Sequence, residues 1–122
     1  MSSIFKGFQS IFCSKHSQND YLSHKFAAGN DWWFHVKKSP GSHVIVKTNG
    51  DEIPDNTFEE AARLAAHYST AGNSDKVEID YVQKKHLKKP AGSPPGYVIY
   101  HTNYSMIANT DINGIQVYNT QS

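Results

Sequence analysis

Asp31-Trp32-Trp33-Phe34-His35-Val36-Lys37 and His43-Val44-Ile45-Val46-Lys47, separated by Ser39-Pro40-Gly41-Ser42, decide the fold. Both runs are rich in aromatic and β-branched residues, which suit a pleated, half-buried surface, and the Pro-Gly between them is a turn signal. The pair predicts a β-hairpin. Side chains alternate along a strand, so Trp32, Phe34 and Val36 share one face, and Asp31, Trp33, His35 and Lys37 share the other. The first set is a clean core face. The second combines an indole, an imidazole and an ammonium, a mixture that stacks on bases or sugars and grips phosphate, with stacking worth about 1–3 kcal/mol per base. The competing reading is that Trp33 completes the core and His35 bonds to the backbone.

Working outward, Phe8 to Phe12 reads as a short first strand. Asn19-Asp20 offers an N-cap for a helix carrying Tyr21, Leu22 and Phe26 and stopping at Gly29. Downstream, Thr57-Phe58-Glu59-Glu60 reads as a capping box ahead of a helix over about 58–69. Its buried face is small, Phe58, Ala61, Ala62 and Ala65, and Ala71-Gly72-Asn73 supplies the exit. Two further strands are expected, Val77 to Leu87 and Tyr97 to His101, joined by the loop from Pro90 to Gly96. Asn113-Gly114 suggests a last hairpin between Met106-Ile107 and Ile115 to Tyr118. The expectation is a single α+β domain over residues 1–122, a mainly antiparallel sheet with two principal helices packed on it and frayed ends.

The chain has 12 Lys and Arg against 11 Asp and Glu, a net charge of +1, so attraction to an anion must come from how the charges are distributed. They are segregated. Asp51, Glu52, Asp55, Glu59 and Glu60 fall within ten residues that contain no base, whereas Lys84-Lys85-His86-Leu87-Lys88-Lys89-Pro90 packs four lysines into six residues with no acid. If that segment continues as an extended chain, Lys84 and Lys88 flank His86 on one face and Lys85 and Lys89 occupy the other, a ridge for phosphates. Lysines also protect ordinary edge strands from pairing. The single cysteine, Cys13, excludes an internal disulfide and a multi-cysteine zinc site and fits a reducing, cytoplasmic setting. Ile4 to Phe12 is too short and too broken for a membrane span or an export signal. His35 and His43 flank the turn, but they come with no HExxH or Cys/His ligand cluster, and the chain has no nucleophile elbow, P-loop or dinucleotide fingerprint. No catalytic residue, metal or cofactor is expected.

Five blocks, Gln18-Asn19-Asp20-Tyr21-Leu22, Asp31 to Lys37, Pro40-Gly41-Ser42-His43-Val44-Ile45, Thr57 to Ala62, and Lys85-His86-Leu87-Lys88-Lys89-Pro90, resemble in order and spacing the NFACT RNA-binding domain, NFACT-R. The resemblance runs from about Phe8 to Asp111, and Cys13 to Ser17 departs from the glycine, base and asparagine usual in that family. It implies an RNA-binding module rather than an enzyme, acting on tRNA or ribosomal RNA in translation or ribosome quality control. The ribosome is then an implied partner, and a stand-alone domain is expected. The residues implied for RNA contact are Asn19, Asp20, Asp31, Trp33, His35, Lys37, Ser42, His43, Lys85, Lys88 and Lys89. The alternative is an adaptor domain that contacts protein and has weak or lost affinity for nucleic acid.

Overall fold

In the computed structural model, which describes residues 2–6, 9–13, 21–48, 50, 52–69, 74–94, 97–101, 103–115 and 118–119, the expected hairpin lies at the centre of the sheet. The strands in chain order are β1 (Ser2–Lys6), β2 (Gln9–Cys13), β3 (Trp32–Val36), β4 (Val44–Lys47), β5 (Lys76–Gln83), β6 (Tyr104–Asn109) and β7 (Tyr118–Asn119). They form one sheet in the order β6-β5-β3-β4-β2-β1-β7, with every neighbouring pair antiparallel. Trp33 stands opposite Ile45 on one side and Val82 on the other, so the central strands bury both of their faces.

One face packs on the single long helix, α1 (Asp55–His67). There Phe34, Val36, Val44, Val46 and Ile79 meet Ala61, Ala62, Leu64, Ala65 and Ala66, all buried. Small helical residues let the helix axis lie close to the strands. The opposite face carries Trp33, Ile45 and Val82, and these are covered by Phe12, Phe26, Ala27, Leu87, Val98 and Tyr100, most of them from irregular segments. We term the two sides of the sheet the helix face and the strap face.

Only one of the two expected helices forms among the described residues, so the correct description is an antiparallel sheet with one principal helix. Tyr21–Phe26 is a single π-helical turn. Among its described side chains Ser23 and Phe26 press inward, followed by Ala27, while Tyr21 is 56% exposed, and this burial is too small to offset the cost of nucleating a longer helix. The proposed cap, Asn19 and Asp20, lies outside the described residues. α1 begins at Asp55 behind Pro54, earlier than the capping box predicts. Thr57 is then inside the helix and 1% exposed, and its hydroxyl has no hydrogen-bond partner among the described groups.

Three further expectations change. The lysine segment does not continue β5, because Lys84–His86 close a 3-10 turn. Residues 97–101 make one isolated bridge, Ile99 to Lys88, rather than a strand. Asn113-Gly114 does form a turn, with Gly114 at φ 89°, but it closes no hairpin, since β6 pairs with β5 and β7 with β1.

Candidate nucleic-acid interface

The strap face holds the odd-numbered residues of β3, and each has a different local task. Asp31, at the start of the strand, is 2% exposed and accepts hydrogen bonds from the Ala28 amide at 2.8 Å and the Thr48 amide at 3.1 Å. Lys47 Nζ sits 2.5 Å from its carboxylate, donates to the Phe26 carbonyl at 3.3 Å and lies 5.0 Å from the centre of the Phe26 ring. Asp31 therefore ties the exit of the π turn to the hairpin and is committed to the fold.

Trp33 has no exposed surface. Its ring stacks on His35 at 5.5 Å and meets His43 at 5.3 Å and Tyr100 at 5.1 Å. A base has no route to its face, so the stacking role expected of Trp33 is corrected to that of a floor. Its indole Nε1 is buried with no hydrogen-bond partner among the described groups. His35 is half-buried beside His43, their ring centres 5.2 Å apart. His43 is 1% exposed, and its Nδ1 shares a hydrogen bond of 2.5 Å with the buried hydroxyl of Ser23. Ser42 is buried and its amide donates to the Tyr68 carbonyl at 3.3 Å, which fixes the turn against the end of α1.

Lys37 pairs with Asp80 at 3.0 Å. Asp80, almost fully buried, also accepts hydrogen bonds from the Tyr100 hydroxyl at 2.7 Å and the Ser105 hydroxyl at 2.8 Å. Burial pushes its carboxyl up, but the bonds from Tyr100, Lys37 and Ser105, together with the lysine charge, outweigh that and hold it below its ordinary value. The hydrogen bond to Asp80 and its charge hold the Lys37 ammonium up in turn. Burial, then Asp80, raises the Tyr100 phenol strongly, so Tyr100 is a neutral donor at any physiological pH.

Lys85, Lys88 and Lys89 are exposed, on a segment held to this face by the buried Leu87. The Lys84 amide donates to the Asp31 carbonyl at 2.8 Å and the Lys85 amide to the Gly29 carbonyl at 3.1 Å. Lys88 and Ile99 exchange backbone bonds of 2.9 and 2.8 Å, and Lys89 Nζ reaches the Pro94 carbonyl at 2.8 Å. The lysines thus crown a braced loop. Lys25 is exposed on the π turn that covers the same face.

Between the hairpin turn and this loop lies a hollow of about 220 Å³ that includes Trp33, His35, Lys38, Ser39, His43, Tyr97 and Tyr100 among its walls. Trp33 and His35, which alternation places on one face, meet His43 there from across the turn, while Asp31, Lys37 and Ser42 serve the scaffold. Sequence reading missed Tyr97, 51% exposed at the rim, and Lys38, which adopts a left-handed φ of 60°. It also missed Ser23 and Asp80. An isolated tyrosine after Pro94-Pro95-Gly96 carries no periodic signal, and Asp80 shows itself only through its cross-strand partners. Among the described residues no group of three His, Cys, Asp or Glu is placed to hold a metal, and no helix is long and apolar enough to cross a membrane.

Residues 6–102 match the family model described as the NFACT protein RNA binding domain. The chain is 40% identical over 94 residues to the Rqc2 homolog RqcH of Bacillus subtilis (strain 168), an alignment covering 77% of this chain and 16% of that protein. Over 82 residues it is 35% identical to the Coiled-coil domain-containing protein 25 homolog of Dictyostelium discoideum, covering 63% of this chain and 40% of the relative. The chain therefore spans well under half the length of either. A solved structure described as the C-terminal of the fibronectin/fibrinogen-binding protein from Streptococcus suis superposes with a TM-score of 0.84 at 34% identity, covering 90% of this chain and 46% of that one.

Proposed function

The chain belongs to the NFACT RNA-binding domain family, and we propose that its strap face binds tRNA or ribosomal RNA in ribosome quality control. The observation that carries the reading is the disposition of charge on that face. Lys85, Lys88 and Lys89 project from a braced loop, while Asp31 and Asp80 are buried and each already holds a lysine. Glu78, beside Lys37, is an exposed acid on this face. Ammonium groups on flexible stems act as point charges, so the loop grips backbone phosphate and does not read sequence. The exposed ring of Tyr97 at the edge of the hollow takes the stacking role that burial denies to Trp33, with His35 offering a hydrogen bond beside it.

Replacing Lys85, Lys88 and Lys89 by Ala weakens binding equally across RNA sequences and lowers the slope of log affinity against log salt by at most about 0.7–0.9 for each lysine that had neutralised a phosphate. Titrations against tRNA, a ribosomal RNA fragment and a random single strand at several salt concentrations read this directly. An unchanged slope removes the loop from the interface. The histidine pair acts in binding and not in cleavage: labelled tRNA incubated with the protein, with divalent metal or with chelator, stays intact. Cleavage that disappears in both His35→Ala and His43→Ala while binding persists would make the protein a nuclease.

A further inference from the structure

The helix face ends at β6 in an aromatic cleft that the RNA reading leaves unused. Trp32, Phe58, Tyr81, Tyr104 and Met106 line a hollow of about 360 Å³ with Asp55 at its lip. Trp32 meets Phe58 edge to face at 5.1 Å and Tyr104 at 5.9 Å, and Tyr81 stacks on Tyr104 at 5.5 Å. The cluster is open to solvent, for Tyr104 is 58% exposed. An adjoining hollow of about 460 Å³ shares Trp32, Asp55 and Phe58 and brings Glu52 to the same rim.

β6 is also a sheet margin. It pairs with β5 on one side, and among the described residues no strand pairs with its other side. Its six residues, Tyr104-Ser105-Met106-Ile107-Ala108-Asn109, include no charge and no proline, and Ile107 on the opposite face is 64% exposed. An edge strand offers a row of backbone donors and acceptors to any extended chain, and folded proteins ordinarily blunt such edges with lysine, proline or a bulge. This one carries neither lysine nor proline. Main-chain pairing on an edge, with alternate side chains entering pockets on one face, is how extended peptides are recognised by strand addition.

We propose that the β6 edge and the Trp32–Tyr104 cleft dock an extended segment of a partner protein, with a Lys or Arg of that segment entering the cleft. Charge complementarity selects this occupant. Among the described residues no lysine or arginine lines either hollow, Glu52 and Asp55 are exposed at the rim, and aromatic faces attract a cation that comes within about 6 Å of their centres. An RNA backbone would meet two carboxylates here, whereas the lysines stand on the other side of the sheet. A strand added along β6 covers Ile107 with one set of its side chains and seats the alternate set between Tyr104 and Met106. The site shares no residue with the proposed RNA surface, so either can fail alone.

The test is titration of the full chain with a fluorescein-labelled peptide, Gly-Ser-Val-Arg-Val-Thr-Val-Arg-Ser-Gly, read by anisotropy and by amide and indole NMR shifts. Saturable binding that moves the amides of 104–109 and the Trp32 indole is expected. Tyr104→Ala and Asp55→Asn, both at exposed positions, each weaken it roughly ten-fold, as does changing both arginines of the peptide to glutamate. Melting curves confirm that the variants fold, and Asp55→Asn keeps the test open if Tyr104→Ala does not. Absence of saturable binding overturns the proposal, as does binding indifferent to both variants. A ten-nucleotide oligouridylate that moves the same amides more strongly than the peptide overturns it in favour of RNA. Concentration-dependent self-association that moves them without peptide overturns it in favour of a second copy of the chain.

Discussion

Asp80→Asn tests how the strap is fastened to the sheet. The carboxylate is 4% exposed and receives the Tyr100 hydroxyl at 2.7 Å, the Ser105 hydroxyl at 2.8 Å and the Lys37 ammonium at 3.0 Å. Hydrogen bonds to a charged group are worth about 1.5–3 kcal/mol each, against about 0.5–1.5 for neutral ones. Asparagine keeps an acceptor and loses the charge, so the two part-buried hydroxyl bonds each weaken by about 1 kcal/mol; the half-buried lysine adds little because solvent screens it. The expected loss is about 2–3 kcal/mol at pH 7, or about 3–5 °C of melting temperature per kcal/mol for a domain of this size. The folded carboxyl is held below its unfolded value of about 3.9, so its contribution is present above that value and disappears as pH falls through the folded value. Urea denaturation at pH 7, 5 and 3 should show the gap between wild type and variant full at the first two and shrinking at the third. A gap under about 0.5 kcal/mol at pH 7, or one that is as large at pH 3, refutes the reasoning.

Cys13 is 3% exposed and burial pushes its thiol up to about 12, so a thiol reagent at pH 8 labels it only after urea is added; rapid labelling of native protein would contradict the packing. Thr57→Val separates the two readings of the α1 start: a capping hydroxyl would make it cost about 0.5–2 kcal/mol, whereas a buried hydroxyl with no partner among the described groups makes it neutral or stabilising by about 1 kcal/mol, read as a higher melting temperature. Tyr97→Ala leaves the melting temperature within about 2 °C, since the ring is half exposed, yet costs about 1–3 kcal/mol in RNA affinity if it stacks on a base.

The parts of the fold that repeat a short period were readable in the sequence. β3 and β4 alternate over enough residues to fix their faces, and the alanine-rich stretch places α1 within about three residues of its true start. What the sequence does not carry is which segment covers a face. Alternation puts Trp33 opposite Trp32, but that Leu87, Val98 and Tyr100 close over it follows from packing between residues more than fifty positions apart. The lysine segment misleads for a related reason. Its composition permits a continued strand, but the carbonyls of Gly29 and Asp31 capture the amides of Lys85 and Lys84 and turn the chain. Among the described residues the expected helix is one π-helical turn, Tyr21–Phe26, that ends before Gly29, because its helical spacing buries too few side chains to carry the helix further.

A net charge of +1 would argue against an RNA partner if the charge were mixed, but the fold sorts it. Glu52, Asp55 and Glu59 belong to the approach and first turns of α1 on the helix face, while Lys85, Lys88 and Lys89 rise from a loop pinned by Leu87 to the strap face. At physiological salt the screening length is about 8 Å, comparable to the roughly 10 Å that separates packed layers of structure. Each face therefore presents its own potential to an incoming partner, and the near-cancellation in the total removes long-range attraction without removing either local one. Trp32 and Trp33, adjacent on β3 and facing opposite ways, mark the division. One indole looks into a cleft rimmed by carboxylates, and the other floors a hollow beside lysines. A single strand thus backs two hollows of opposite charge character, and the proposed RNA surface and the proposed peptide cleft lie on opposite sides of it.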